Sequence, residues 1–406
     1  MLVALAWRNL WRQPRRTLLS LFSIAFAASL MVFLLSFQLG VYAQMKESAL
    51  KLLDGYAQFQ PRGYLDDPDI RKTIAHVELV RRQALNTPGV SAAAPRVNAF
   101  AILANGARSY GAMIVGVDPT DEAKVSSLGA MVREGRYFVG TDNDAAVIGD
   151  TLARNLGLSV GQKVTLLGSA ADGSVAADVL RVIGIFHGGI PDLDRNLLEM
   201  PFARAQETFG LEGRAHTIAI SGPTLSGVNG ALPQLGAIGR RSGLALEDWG
   251  ALEPALRDSI TLKYVTSSLL YITLVIVVTF IILNTLLMSV RERTREFGVL
   301  LAIGMRPSAI GGMVWLELIG LALLGSGIGV AIGAGVSLWF MQHGVSYAGL
   351  EDVLAKYGLP TRLYPALSLL SASAGPGALT LAICIGGLVP YVHVRRLQAA
   401  AAMRAA

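Results

Sequence analysis

Hydrophobic residues gather in four long stretches of the chain, and polar residues fill the segments between them. The stretches cover residues 17–43, 263–290, 313–341 and 366–392. A helix needs about 20 apolar residues to cross the hydrocarbon core of a bilayer, so each stretch is long enough. No residue is charged from Thr17 to Val41 or from Tyr264 to Val290. The pattern predicts an α-helical membrane protein with four transmembrane helices.

The first stretch has an alternative interpretation as a cleavable signal peptide. It is too long for the apolar core of a signal peptide, and the residues that follow Leu39 make a poor cleavage site. We therefore expect a retained helix. Residues 1–16 in front of it are predicted to form a cytoplasmic interfacial helix, because Trp7 and Trp11 are each followed by an arginine.

The longest polar segment, residues 44–262, lies between the first and second stretches and has a globular composition. The spacing of Ile70, Ile74, Val77 and Val80 predicts an opening helix. Segments rich in valine and isoleucine predict strands over residues 97–103, 111–117, 163–167, 179–186 and 217–220, with a helix near 150–156. The segment is therefore predicted to be a large extracytoplasmic α+β domain between helices 1 and 2.

A short polar segment, residues 291–312, separates the second stretch from the third. Its first six residues are mostly charged, and Phe297, Leu300, Leu301 and Gly304 then recur at helical spacing. This pattern predicts a short amphipathic helix that stops near Gly304. From periodicity alone, a basic loop whose apolar side lies on lipid headgroups fits equally well.

Composition and charge agree with a membrane protein, since 52% of the 406 residues are hydrophobic and 16% are charged. The net charge of +6 comes from arginines beside the apolar stretches, so we attribute it to membrane topology and not to nucleic acid. With four helices, the N-terminus, segment 291–312 and the tail, residues 393–406, share one arginine-rich side. The positive-inside rule makes that side cytoplasmic. We expect a multi-pass protein of the cytoplasmic (inner) membrane, with both termini in the cytoplasm and the large domain in the periplasm.

Few residues suggest a catalytic, metal-binding or nucleotide-binding site. His187, Asp192 and Asp194 could form a metal or acid/base cluster, but a Gly-Gly-x-Pro-Asp sequence is more typical of a turn with solvated carboxylates. His76 and His216 stand alone and are interpreted as structural, and Cys384 as a packing residue. No Gly-Lys-Ser/Thr sequence of a P-loop occurs. We therefore expect no catalytic residues, no metal and no cofactor on this chain.

The third and fourth stretches carry further packing signals. Gly325, Gly329 and Gly333 are four residues apart, which predicts a small-residue ridge where another helix approaches closely. Glu317 is placed to snorkel or to pair with an arginine of segment 291–312. A short extracytoplasmic loop, residues 342–365, follows, and Gly375-Pro376-Gly377 predicts a kink in the fourth helix.

Several of these segments resemble one family of membrane proteins. The quoted sequences are Ala6-Trp7-Arg8-Asn9-Leu10-x-Arg12-x-Pro14-Arg15-Arg16-Thr17-Leu18; Arg293-x-Arg295-Glu296-Phe297-Gly298-Val299-Leu300-x-Ala302-Ile303-Gly304-Met305; Val147-Ile148-Gly149; Leu156-Gly157-Leu158-x-Val160-Gly161; and Val182-Ile183-Gly184-Ile185-Phe186. In this order they resemble the MacB/LolC/LolE/FtsX superfamily of ABC-transporter permeases, closest in layout to the lipoprotein-releasing LolC/LolE type. The basic tail keeps the frame of the family but has alanine at the proline position.

The resemblance implies a function for segment 291–312. In this superfamily the helix docks onto a cytoplasmic ATPase and carries its motion into the membrane, so segment 291–312 would be a coupling helix. The residues implied in ATPase coupling are Arg293, Arg295, Glu296, Phe297, Gly298, Leu300, Ile303 and Gly304. ATP and Mg²⁺ would be bound by the partner ATPase, and the residues that bind substrate are unknown.

The implied partners are ABC ATPase subunits, a second permease copy or paralogue, membrane lipid, and a lipoprotein substrate or periplasmic carrier. The implied function is extraction or release of a lipidated or amphiphilic substrate on the periplasmic side. Two alternatives stay open at this point. One is MacB-like export of small molecules or peptides with periplasmic partners, and the other is FtsX-like signalling to a cell-wall hydrolase.

Overall fold

A computed structural model describes residues 8–12, 14–346, 349 and 362–395. Within these residues the chain forms two compact units. The helical unit contains residues 8–43, 259–346 and 362–395, and the α/β unit contains residues 44–258.

Along the chain, long helices precede and follow the α/β unit. The elements fall into a first part, up to residue 186, and a second part, from residue 191 onward. The first part contains α1 (Pro14–Leu52), β1 (Ala57–Pro61), α2 (Val77–Leu85), β2 (Ala92–Asn105), β3 (Arg108–Val117), α3 (Pro119–Val125), a 3₁₀ turn (Leu128–Met131), β4 (Val132–Gly135), β5 (Ala145–Gly149), α4 (Asp150–Leu156), β6 (Lys163–Ser169) and β7 (Val175–Phe186). The second part contains α5 (Pro191–Asn196), β8 (Leu197–Pro201), α6 (Phe202–Phe209), β9 (Thr217–Ser221), α7 (Leu225–Arg241), β10 (Leu244–Asp248), α8 (Trp249–Leu252), α9 (Pro254–Glu292), α10 (Thr294–Ala302), α11 (Pro307–His343), β11 (Val345–Ser346), β12 (Arg362–Leu363), α12 (Leu369–Gly386) and α13 (Leu388–Arg395).

Among the described residues, four helical runs are long and apolar enough to cross a membrane: α1, α9, α11, and α12 together with α13. The helices α1 and α9 each have 39 residues, so they continue well past the apolar stretches that predict them. The helix α11 begins at Pro307, six residues before the apolar stretch, because proline suits the first turn of a helix.

The fourth apolar stretch forms two consecutive helices, α12 and α13. Pro376 lies inside α12, which continues through the Gly-Pro-Gly sequence to Gly386. The helix is interrupted at Gly387, where α13 follows. The predicted kink at residues 375–377 falls inside α12 and stays a prediction. Most of the predicted loop and of the tail, including Arg396 and Arg404, lies outside the described residues.

A closed ring of strands organises the α/β unit. Strands β2, β3, β8, β5, β7 and β6 pair in that order, and β6 pairs back onto β2. The pairs β3–β8 and β5–β7 are parallel and the others are antiparallel. Alternate residues point inward, so Val97, Ala99, Ala101 and Leu103 of β2 belong to one buried core while Phe100 and Ile102 are exposed.

A second core lies where the sheet continues beyond the ring. Strands β9, β1 and β10 extend the sheet from β2, and helices α2 and α7 pack on them. Phe59 of β1, Val80 of α2 and Leu235 of α7 are fully or almost fully buried in this core. These are the two largest of the apolar cores that support the sheet.

The predicted α+β character and all five predicted strands are confirmed, as is the helix at Asp150–Leu156. The opening helix is wrong in its first half, because helix α2 begins only at Val77. Ile74 instead exchanges backbone hydrogen bonds with Ala215, at 2.7 and 3.4 Å, and this pairing excludes a helical backbone there. A strand partner far along the chain overrides the local spacing.

Candidate functional site

The short helix α10 forms the predicted amphipathic element, and its C-terminal end is shaped by Gly304. Gly304 has φ +95°, in the region that favours glycine. Its N–H donates to the carbonyl of Leu301 at 3.1 Å, and the N–H of Met305 donates to the carbonyl of Leu300 at 3.0 Å. These two hydrogen bonds define a Schellman motif, which ends the helix and turns the chain toward α11.

One face of α10 packs into the core of the helical unit. The Phe297 side chain is 1% exposed and Gly298 is buried. Leu300, Leu301 and Met305 are partly buried against the same core, which also contains residues of α1, α9, α11 and α12. The helix is therefore anchored by apolar contacts with the long helices.

The opposite face of α10 is open to solvent. Arg295, Glu296 and Gly304 are exposed, and the apolar side chains of Val299 and Ile303 are 52% and 75% exposed. Neighbouring exposed aliphatic side chains beside charged ones fit a surface that contacts another protein or the membrane interface. The eight residues implied in ATPase coupling thus divide into two groups. Arg293, Phe297, Gly298 and Leu300 lie inward, whereas Arg295, Glu296, Ile303 and Gly304 lie outward.

Arg293 stands at the start of α10 and is largely enclosed, with its side chain 13% exposed. Its Nη1 lies 3.4 Å from Oε2 of Glu317 on α11, whose side chain is 12% exposed. Its Nε lies 3.4 Å from Glu296, and its guanidinium carbon lies 5.4 Å from the centre of the Phe297 ring. Breaking an enclosed ion pair of this kind typically costs about 3–5 kcal/mol, because one charge is left without its partner.

Two further ion pairs join the start of α1 and the segment before it to the end of α9 and the first turn of α10. Arg12 Nη1 lies 3.5 Å from Glu296, and both side chains are more than half exposed. Arg16 Nη1 lies 2.7 Å from Glu292 at the end of α9, and its Nη2 donates to the carbonyl of Thr285 at 2.5 Å. Arg12, Arg16 and Glu296 border a cavity of about 210 Å³, whose wall also includes Arg293 and Glu317.

The glycine ridge of α11 faces α1 at backbone distance. A Cβ added at Gly325 would lie 2.7 Å from Ile24, one at Gly329 would lie 2.5 Å from the carbonyl oxygen of Ala25, and one at Gly333 would lie 2.7 Å from that of Ser29. A side chain at any of these positions would have to push α1 away. Glycine at this spacing therefore permits the close contact of α11 with α1.

The α/β unit contains a separate cluster around His187. His187 Nδ1 lies 3.0 Å from Asp150 and 3.4 Å from Asp194. Asp194 is buried and accepts hydrogen bonds from the N–H groups of Gly188 and Gly189, at 2.7 and 3.1 Å. The interpretation as solvated carboxylates is therefore wrong for Asp194 and right only for the exposed Asp192. Asp194 ties the loop after β7 to α5.

His216 has the structural role predicted for it. It is fully buried, its Nδ1 accepts the N–H of Asn98 at 3.0 Å, and its Nε2 donates to the carbonyl of Ile70 at 3.0 Å. Burial lowers the pKa of His216, which keeps the imidazole neutral. His76, by contrast, is exposed.

A buried charged group inside the α/β unit was not predicted from the sequence. Arg96 donates two hydrogen bonds to Glu122, at 2.6 and 3.0 Å, with both side chains enclosed. The Tyr137 hydroxyl donates to the fully buried Glu199 at 2.8 Å. Burial and the nearby Glu122 raise the pKa of Glu199 to about 8. Glu199 is the one charged residue of the otherwise apolar strand β8, but this pattern does not predict that the carboxyl group is enclosed.

Comparisons with known proteins give the family of the chain. The family model described as "MacB-like periplasmic core domain" matches residues 17–229, and "FtsX-like permease C-terminal" matches residues 268–399. The chain is 22% identical to the lipoprotein-releasing system transmembrane protein LolC of Neisseria meningitidis serogroup B, over 96% of this chain and 94% of that protein. It is 32% identical to the macrolide export ATP-binding/permease protein MacB of Hahella chejuensis, over 35% of this chain and 22% of that protein.

Among solved structures, the periplasmic region of MacB from Actinobacillus actinomycetemcomitans aligns at 14% identity and a TM-score of 0.37. This alignment covers 50% of the chain and 93% of that structure. The family assignment rests on the sequence matches, which together span both the α/β unit and the long helices. This chain therefore belongs to the MacB/LolC/FtsX family of ABC-transporter permeases.

Proposed function

We propose that this chain is the membrane subunit of an ABC transporter that extracts or releases a lipidated or amphiphilic substrate, such as a lipoprotein, on the periplasmic side. The observation that carries the proposal is the match with a lipoprotein-releasing LolC protein over 96% of this chain. ATP and Mg²⁺ would be bound by a separate cytoplasmic ATPase.

The outward face of α10 is the surface that we propose for the ATPase. It offers the exposed apolar side chains of Val299 and Ile303 beside the charges of Arg295 and Glu296. Arginine and apolar side chains are common at protein interfaces. The inward face of α10 is anchored in the helical unit, so a displacement of α10 would be passed to the long helices.

The proposed orientation follows from charge. Arg8, Arg12, Arg15 and Arg16 precede or begin α1, and the segment around α10 carries four more arginines. Cytoplasmic loops are enriched in arginine and lysine, which supports cytoplasmic termini and a periplasmic α/β unit. The helix α9 has many exposed apolar side chains, including Leu269, Ile276 and Phe280, which would meet lipid or a second permease copy.

Co-purification of the full-length chain with its co-expressed ATPase tests this proposal. The variant Ile303→Glu should lose the ATPase while still inserting into the membrane, because a charge replaces an exposed apolar contact. The matched control is Val175→Glu, which changes an aliphatic residue of similar exposure in the α/β unit and should retain the ATPase. Failure of the unaltered chain to capture an ATPase would contradict the proposal.

The substrate is tested with the same preparation. Proteoliposomes containing the complex should release an acylated lipoprotein to a soluble acceptor when ATP is added. The matches with macrolide-export MacB proteins favour export of small molecules as the second candidate. ATP-dependent transport of a macrolide without lipoprotein release would favour that candidate, and ATPase activity that only activates a cell-wall hydrolase would favour signalling.

A further inference from the structure

The family resemblance places Arg293 among the residues that contact the ATPase, but the structure turns this side chain away from the open face of α10. Its side chain is 13% exposed, whereas Ile303 is 75% exposed. Its hydrogen-bonding nitrogens are directed to Glu317 and Glu296 and its charge lies over Phe297. Little of Arg293 is left for a cytoplasmic protein to contact.

The ion-pair partner of Arg293 is Glu317, so this arginine links α10 to α11. Glu317 belongs to α11, 24 residues further along the chain, and it is the one acidic residue within the apolar part of that helix. An acidic side chain there is unfavourable unless a cation accompanies it. The helix α10 is joined covalently to α9 through residue 293 and to α11 through residues 303–306, so the ion pair adds a contact with α11 at the N-terminal end of α10.

The next connection runs from α11 to α1. Beyond Glu317 along the same helix, Gly325, Gly329 and Gly333 place the backbone of α11 directly against α1. A close-packed helix pair moves together more readily than it separates, because its contacts are short and numerous. A displacement of α10 can therefore reach α1 by way of α11, in addition to the covalent route through α9.

We propose that Arg293 is a positioning residue that ties α10 to α11 through Glu317, so that ATPase-driven movement of α10 displaces α11, and with it α1, together with α9. This inference rests on the proposed function, since it needs an ATPase that moves α10. It assigns Arg293 to transmission of movement, and it leaves ATPase contact to Arg295, Glu296, Val299 and Ile303.

A charge exchange tests the proposal in the complete transporter complex with its ATPase. Arg293→Glu and Glu317→Arg should each retain the bound ATPase and its ATP hydrolysis, but lower ATP-driven substrate release by about fivefold or more. The double variant carrying both changes should restore part of the release, because it rebuilds the pair between positions 293 and 317 with the charges reversed, while the carboxylate at position 293 is left beside Glu296. Glu317→Gln keeps the shape of the side chain without its charge and should uncouple in the same direction.

Arg295→Glu is the matched control on the same helix. Arg295 is exposed and forms no ion pair within the described residues. Its reversal should weaken ATPase binding, and Glu317→Arg should not rescue it. Loss of the ATPase from Arg293→Glu and Glu317→Gln, or a double variant no better than the single ones, would overturn the role proposed for Arg293. An unaltered chain that binds no ATPase would instead refute the proposed function itself.

Discussion

At the scale of single residues, the glycines of α11 let the backbone of α1 approach closely. Gly329 is the tightest position of the α11 ridge, since a Cβ would lie 2.5 Å from both the carbonyl oxygen of Ala25 and the Cβ of Ala28. Gly327, two residues earlier, has no atom within 4 Å of an added Cβ. The two glycines share a helix and differ in surroundings.

We expect Gly329→Ala to destabilise the protein by about 1–3 kcal/mol, because overpacking forces α1 and α11 apart. Gly327→Ala should leave stability unchanged or raise it by about 0.5–1 kcal/mol, since alanine loses less backbone freedom in a helix. Thermal unfolding of both variants in the same detergent measures the difference. Equal effects of the two substitutions would show that the ridge is not a close contact.

The sequence predicts the ridge but not the direction of Arg293. Glycine spacing is a local pattern, and its consequence for helix packing can be inferred without knowing which helix approaches. The orientation of Arg293 depends on Glu317, which is brought near only when α11 packs beside α10. The sequence suggests that pairing as one of two roles for Glu317, whereas the enclosure of Arg293 follows from the packing of several helices.

At the scale of elements, α10 owes its C-terminal boundary to Gly304. The backbone of Gly304 lies at φ +95°, and the two hydrogen bonds of the Schellman motif depend on that conformation. An L-residue in the left-handed region costs about 1–2 kcal/mol. The strain would fall on the last turn of α10, where Leu300 and Leu301 anchor the helix to its core.

Gly304→Ala should therefore loosen the end of α10 without unfolding the protein. A loss of about 1–2 kcal/mol in local stability corresponds to about 5- to 30-fold faster amide exchange there. Hydrogen–deuterium exchange of peptides covering residues 294–305 provides the measurement. Gly312→Ala, within α11 and with no atom within 4 Å of an added Cβ, is the control and should not change this exchange. Unchanged exchange in Gly304→Ala would contradict the assigned role of Gly304.

Element types are easier to predict from this sequence than element partners. Apolar length predicts the long helices, and valine- and isoleucine-rich segments predict β2, β3, β6, β7 and β9. Closure of the ring through β6 and β2 could not be predicted, because it depends on pairing between strands about 60 residues apart. The pairing of Ile74 with Ala215 escaped prediction for the same reason.

At the scale of the whole molecule, the chain order of its segments is the most predictable feature. The apolar stretches predict a domain between the first and second long helices, its valine- and isoleucine-rich segments predict strands in it, and the compact α/β unit covers residues 44–258 against predicted bounds of 44–262. The buried charges of the α/β unit are less accessible to prediction. Charged residues within strands are usually expected on the solvent face, so Glu199 gives no sign that it is enclosed.

Glu199 makes the stability of the α/β unit depend on pH. Burial raises its pKa from 4.5 to about 8, so between these values the folded state holds a proton that the unfolded state has lost. The free energy of unfolding must then fall as pH rises from about 5 to 8, by up to about 1.4 kcal/mol per pH unit. Glu199→Gln should flatten this dependence and stabilise the unit at pH 8, because the amide needs no proton to stay neutral.

Urea unfolding of the full-length chain, followed by pulse proteolysis of the α/β unit, measures the free energy of unfolding at each pH. The exposed Glu134→Gln serves as the control and should keep the slope. An unchanged slope in Glu199→Gln would mean that Glu199 is ionised in the folded protein, stabilised by Arg96.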